Sequence, residues 1–193
     1  MKRLCVFLGS SPGFDPVYAE AATALGGLIA SRGIGLVYGG GRVGLMGLLA
    51  DAAMAAGGEV IGVIPEALDR REVAHHGCTE LHITRSMHER KALMADLSDG
   101  FIALPGGIGT FEELFEIWTW GQLGDHAKPV GLIDVAGFYA PLIAFIDGVV
   151  ARGFLKPEHR AMLMVETDGP ALIDRMTHYH APALGKWIGD EER

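Results

Sequence analysis

A chain of 193 residues, 49% of them hydrophobic, is long enough to bury one substantial core and too apolar to be disordered. Its formal charge of −8, with 16 scattered basic residues against 24 acidic ones, argues against nucleic acid as a partner, because a phosphate backbone needs a basic face. Two cysteines, Cys5 and Cys78, show no metal-binding spacing and predict no disulfide, which fits a reducing cytoplasm.

The elements follow in order. Met1-Lys2-Arg3 and the apolar run 4–8 look superficially like a secretion signal, but the run stops at Gly9-Ser10-Ser11-Pro12-Gly13 and reads better as a first strand. A helical pattern over 17–31 leads to a strand at 35–38, a helix over 45–56 and a strand at 60–64. A strand at 81–84, a helix over 87–96, a strand at 101–104 and a helix over 110–122 come next. The chain closes with a strand at 130–133, a helix over 139–152, a weaker strand at 162–165 and a helix over 171–178. Strands alternating with helices predict an α/β fold: a doubly wound, mostly parallel, Rossmann-like sheet with helices on both faces, in one domain over 1–180. Residues 181–193 lose the pattern and are expected to be a loosely packed end or an arm on a partner subunit. Asp51 and Glu59 interrupt the apolar stretch 43–65, and Asp134 and Asp147 interrupt 129–151, so no membrane span is expected.

In such a sheet the loops that follow strands share one edge. Three of them are rich in glycine: 9–13, 39–44 and 105–110. Pro105-Gly106-Gly107-Ile108-Gly109-Thr110-Phe111-Glu112-Glu113 is the most informative, because its backbone N–H groups and the helix behind it suit an anion. Thr110 alone could be a helix cap; three glycines together ask for a close ligand. Gly39, Gly41 and Gly44 fit G-x-G-x-x-G, and Glu66, about 20 residues on, keeps a dinucleotide reading open beside the favoured mononucleotide one. No P-loop lysine pattern is present. Eight histidines include His75-His76 and His178-x-His180, neither with metal-ligand spacing, so no metal is expected. Glu112 and Glu113 diverge by about 100° on a helix, so they take different roles or merely favour the helix dipole.

Three segments together resemble the Lonely Guy family: Tyr38-Gly39-Gly40-Gly41-Arg42-Val43-Gly44-Leu45-Met46-Gly47, Ser86-Met87-His88-Glu89-Arg90-Lys91, and Pro-Gly-Gly-x-Gly-Thr-x-x-Glu ending on Glu113. Members are phosphoribohydrolases of cytokinin riboside 5′-monophosphates. The resemblance implies catalytic roles for Arg90 and Glu113, with Arg90 gripping the 5′-phosphate. It implies substrate contacts from Ser10, Gly40, Gly41, Lys91, Pro105, Gly106, Gly107, Ile108, Gly109, Thr110, Phe111, Glu112 and Thr119. It also implies no metal or redox cofactor, a nucleoside 5′-monophosphate as substrate, and a homodimer with the site near its interface. The aromatic helix 110–122, with Phe111, Phe115, Ile117, Trp118 and Trp120, is the expected contact. Two alternatives stay open: an AMP nucleosidase of nucleotide salvage, and a non-catalytic nucleotide-binding or sensor protein. A pyridoxal-dependent lysine decarboxylase is disfavoured, since Lys91, Lys128 and Lys156 lack a Schiff-base context.

Overall fold

A computed structural model describes residues 1–69 and 73–182. Among these, seven strands form one all-parallel sheet: β1 (Arg3–Phe7), β2 (Gly35–Tyr38), β3 (Val60–Pro65), β4 (Glu80–Thr84), β5 (Gly100–Ala103), β6 (Val130–Ile133) and β7 (Leu163–Glu166), in the order β4-β3-β2-β1-β5-β6-β7. Leu36, Val37, Phe101 and Ile102 are wholly buried because helices cover both faces, which is why these short strands are continuous apolar runs rather than alternating ones.

The helices are α1 (Pro16–Ser31), α2 (Gly44–Ala55), α3 (Glu66–Asp69), α4 (Met87–Asp96), α5 (Ile108–Leu123), α6 (Ala140–Ala151), α7 (Pro157–Ala161) and α8 (Gly169–Thr177). One core packs α1, α2 and α8 against the sheet through residues such as Leu25, Ile29, Leu49 and Leu172. The other packs α4, α5 and α6 on the opposite face through Met94, Leu114, Trp118 and Ile146. The site helices therefore share one face.

The predicted elements are present with shifted ends. Helix α5 starts at Ile108, and its cap is Gly107, so Thr110 lies inside the first turn, buried, and is not the cap. Helix α4 starts where Ser86 Oγ accepts from the Glu89 N–H at 3.1 Å, while Glu89 reaches back to the Arg85 N–H at 3.0 Å, one residue beyond a standard capping box. The short α3, α7 and the 3-10 turn Val135–Gly137 have too few residues to leave a periodic signal in sequence. The expectation for the tail falls almost wholly on 183–193, outside the described residues.

The indole N–H of Trp118 donates to the His159 carbonyl at 3.0 Å, and Ile117 is buried. Phe111, Phe115 and Trp120 pack on the same core. The aromatic side chains of α5 are thus partly covered within the chain, while Ile108 and Leu123 of the same helix stay exposed. Exposed apolar side chains also project from α6 and the turn after it: Phe145 is 67% and Phe154 85% exposed. No helix among the described residues is long and apolar enough to cross a membrane.

Candidate active site

The strand order reverses between β1 and β5, and an open α/β sheet offers a crevice at such a point, beyond the carboxyl ends of its strands. Here residues 9–13 after β1 and 105–107 after β5 line a cleft of about 210 Å³, closed by Tyr18, Leu45 and Phe138. The two loops are tied together, since the Gly9 N–H donates to the Pro105 carbonyl at 3.1 Å. Beneath them the wholly buried Tyr139 donates its hydroxyl to the Leu104 carbonyl at 2.7 Å, fixing the point where the loop leaves the sheet. Gly44, at φ +59°, brings α2 so close that a Cβ would lie 2.2 Å from the Ser10 carbonyl oxygen.

The three glycines before α5 divide by cause. Gly106 has an internal reason: a Cβ there would sit 2.1 Å from Thr110 Oγ1 and 2.8 Å from Gly9 N. Gly107 and Gly109 have none. Nothing lies within 4 Å of a Cβ at either, and neither has a left-handed backbone. No side chain caps the helix at Gly107. A helix N-terminus whose amides are left bare by two otherwise unexplained glycines suits an anion brought close from solvent.

Beside this stands a buried ion pair. Arg90 Nη1 donates to Glu113 Oε1 at 2.6 Å, with the two side chains only 9% and 11% exposed. Arg90 Nε donates to the Val63 carbonyl at 2.9 Å, at the end of β3. The loop after β2 lies against the guanidinium, where a Cβ on Gly39 would meet Nη2 at 2.3 Å. Burial pushes the Glu113 carboxyl above its ordinary range; the Arg90 charge and hydrogen bond oppose this, Glu112 adds to it and Lys91 opposes it. Two donors of Arg90, the residue expected to grip the phosphate, are therefore engaged inside the protein. Lys91, also buried, donates to Glu112 and, at 2.9 Å, to Glu116.

The remaining expected residues fall into two groups. Ser10, Pro105, Gly106 and Gly107 line the cleft, and Ile108, 82% exposed, stands with Gly109 at the bare start of α5. Phe111 stacks on Phe138 at 6.3 Å, closing that side. Gly40 and Gly41 lie under a strap that sequence reasoning missed: the His75 N–H donates to the Gly40 carbonyl at 2.8 Å, the Arg42 N–H to Val73 at 2.9 Å, and Gly41 bridges Ala74. His75 itself pairs with Asp51 at 3.0 Å. Thr119 is not gathered with the rest. Nine residues past Thr110, it lies about 13 Å further along the helix axis, and its hydroxyl donates to the Phe115 carbonyl. Tyr18, Phe138 and Tyr139 were also missed; the last two follow β6, and the strand-end logic used for the glycine loops would have reached them.

A family profile described as "Possible lysine decarboxylase" matches residues 46–176. The probable cytokinin riboside 5′-monophosphate phosphoribohydrolase LOGL9 of Oryza sativa subsp. japonica is 50% identical over 92% of this chain and 78% of its own length. The cytokinin riboside 5′-monophosphate phosphoribohydrolase LOG1 of Arabidopsis thaliana is 49% identical over 92% and 84%. The protein of the same activity name from Rhodococcoides fascians is 50% identical over 86% and 85%. The chain belongs to the Lonely Guy family. Solved structures share the fold at lower identity. The molybdenum cofactor carrier protein of Chlamydomonas reinhardtii matches at 22% identity and TM-score 0.68, over 93% of this chain and 100% of that one. The molybdenum cofactor binding protein of Rippkaea orientalis matches at 22% and 0.69, over 92% and 96%. The decarboxylase wording of the profile finds little support in this Lonely Guy chain's lysines: Lys91 is held by two carboxylates, and Lys128 donates to the Ala95 carbonyl at 2.7 Å.

Proposed function

We propose that this chain is a phosphoribohydrolase that cleaves the N-glycosidic bond of adenosine 5′-monophosphates, N6-modified ones included, to free base and ribose 5-phosphate. The observation that carries the reading is the adjacency of a bare helix N-terminus and a buried carboxylate–guanidinium pair, one turn apart on α5. The amides at Gly107, Ile108 and Gly109 hold the 5′-phosphate, and that remote grip places the ribose. As the C1′–N bond breaks, positive charge develops on the ring, and Glu113 stabilises it and takes a proton from the attacking water. The water's oxygen bonds to C1′, the base leaves with the bonding pair and takes a proton from solvent, and Glu113 returns its own proton to solvent to close the cycle. Burial raises the Glu113 carboxyl, and the charge and hydrogen bond of Arg90 oppose that rise in favour of the carboxylate form. No metal or redox cofactor is required by this chemistry. The names and near 50% identity of the plant and bacterial relatives support the same substrate class.

In this reading residues 1–180 form the hydrolase domain, and the protein is a cytoplasmic homodimer. The free thiols Cys5 and Cys78 suit a reducing compartment. The exposed Phe145 and Phe154 offer the apolar surface for a subunit contact, and Thr119, remote from the crevice of its own chain, suits contact with a neighbouring one. Purified protein incubated with AMP, isopentenyladenosine monophosphate, GMP and CMP should release base from the two adenine nucleotides, read by chromatography. Release from AMP alone would make it an AMP nucleosidase, and tight binding without release would make it a sensor.

A further inference from the structure

Between α1, the start of α8 and the ends of β5 and β6 lies a second cavity, of about 630 Å³, a size that takes small molecules. Its walls are apolar, with Ala21, Ala24 and Leu28 of α1 and Ile133 and Val135 among them. Its charged lining residues are Glu20 and Asp168, and no basic side chain joins them. Asp168 is already engaged, since it caps α8 by accepting from the Ala171 N–H at 2.9 Å. Glu20 is exposed, and no hydrogen bond or ion pair holds it among the described residues. Ala136 also lines the cavity and, alone among the described non-glycine residues, takes a left-handed backbone, at φ +52°. Such strain persists only where the surroundings fix it, and it gathers at ligand clamps.

Three stretches of chain serve both this cavity and the crevice. Leu104 lines the cavity and Pro105 the crevice; Val17 and then Tyr18 divide in the same way, as do Ala136 and Phe138. We propose that the cavity is a second ligand site, for a small apolar amine, and that filling it tightens the hold of the crevice on a nucleoside 5′-monophosphate. The apolar body of the amine packs on the walls and its ammonium meets Glu20. A nucleotide is refused there, because its phosphate would face two carboxylates and no cation. Filling the cavity braces the stretches that carry the crevice, so a nucleotide has less left to order when it binds. The amine site stands apart from the phosphoribohydrolase reading; the coupling rests on the place that reading gives the nucleotide.

Phenylethylammonium should bind the wild type with a Kd on the order of 1 mM in an NMR titration, moving the methyl signals of Ala21, Ala24 and Ala136. Phenylpropanoate, of similar size and opposite charge, should leave them in place. Glu20→Lys should weaken the amine by about 10-fold or more and admit phenylpropanoate. Ala24→Phe, on an exposed position of α1, should fill the cavity and abolish amine binding, with urea midpoints confirming that both variants fold. With the amine at saturation, calorimetric AMP affinity should tighten by about 3-fold or more, and AMP should tighten the amine by the same factor. Equal binding of the two probes, unchanged amine binding in Ala24→Phe, or no binding at about 10 mM overturns the site. Unchanged AMP affinity overturns the coupling. A wild type that binds AMP but releases no base from any nucleotide sinks the phosphoribohydrolase reading instead, and leaves both binding measurements decisive.

Discussion

Replacing Arg90 by methionine isolates what the buried pair contributes. In the wild type the guanidinium serves the Val63 carbonyl at 2.9 Å and Glu113 at 2.6 Å. Methionine fills much of the volume and donates nothing. Removing one member of a buried pair costs about 3–5 kcal/mol, of which about 1–3 belongs to the orphaned carbonyl. The rest is charge, so it depends on pH. Burial already raises the Glu113 carboxyl, and Arg90 is the strongest influence against it; without Arg90 the folded carboxyl titrates higher still. Between its unfolded value of about 4.3 and that higher folded value, the folded state keeps a proton that the unfolded state has released. Stability therefore falls as pH rises through the window, and below it Glu113 is neutral in both states and the charge part of the deficit vanishes. Urea unfolding followed by tryptophan fluorescence should give a larger deficit at about pH 8 than at about pH 5. An equal deficit at both pH values, or one below about 1 kcal/mol at both, would refute a buried, charged pair.

Glu113→Gln keeps an oxygen to accept from Arg90, so its urea midpoint should barely move while base release drops by about 10²-fold or more; activity within a few-fold of wild type transfers the chemistry to Glu112. Gly109→Ala meets no neighbour and improves helix propensity, so it should raise stability by about 0.5–1 kcal/mol yet weaken AMP binding in calorimetry, and unchanged binding would move the phosphate away from α5. Gly44→Ala should do the reverse kind of damage, lowering the melting temperature through its left-handed backbone and the 2.2 Å approach to Ser10. Tyr139→Phe leaves the Leu104 carbonyl without its buried donor, at about 1–3 kcal/mol, and should raise KM for AMP more than for adenosine; equal effects on both substrates would mean that Tyr139 supports the fold and not the phosphate loop.

The sheet was legible because each central strand is a short apolar run ended by glycine or proline, and burial on both faces leaves no other use for such a run. Glu113 and the glycine loop were legible from one contiguous motif. The Arg90–Glu113 pair was half legible: both residues stood out, but their mutual contact depends on how α4 packs beside α5, which no spacing between 90 and 113 encodes. The strap at 73–75 was hidden for a related reason. Its hold on Gly40 and Arg42 uses backbone groups, which every residue carries, so the side chains there give no sign of it. The aromatic side chains of α5 were legible as large apolar groups, but their neighbours within the chain were not: Phe111 meets Phe138 and Tyr139 after β6, and Trp118 donates to His159 in α7, contacts that a count of apolar residues on one helix does not see.

The crevice divides its labour between materials of different stiffness. The loops that would seize the phosphate spring from strands in the middle of the sheet, and are stitched to one another by main-chain bonds such as Gly9 to Pro105. The charges that would act on the bond hang instead from two helices joined through side chains. In the proposed reading, recognition would rest on backbone and reactivity on removable side chains. A descendant of this chain could lose Arg90 and Glu113 together, trade an ion pair for packed apolar groups at the cost of an unpaired Val63 carbonyl, and keep its hold on nucleotides. The same scaffold is one double substitution away from being a reporter of the molecules it now consumes.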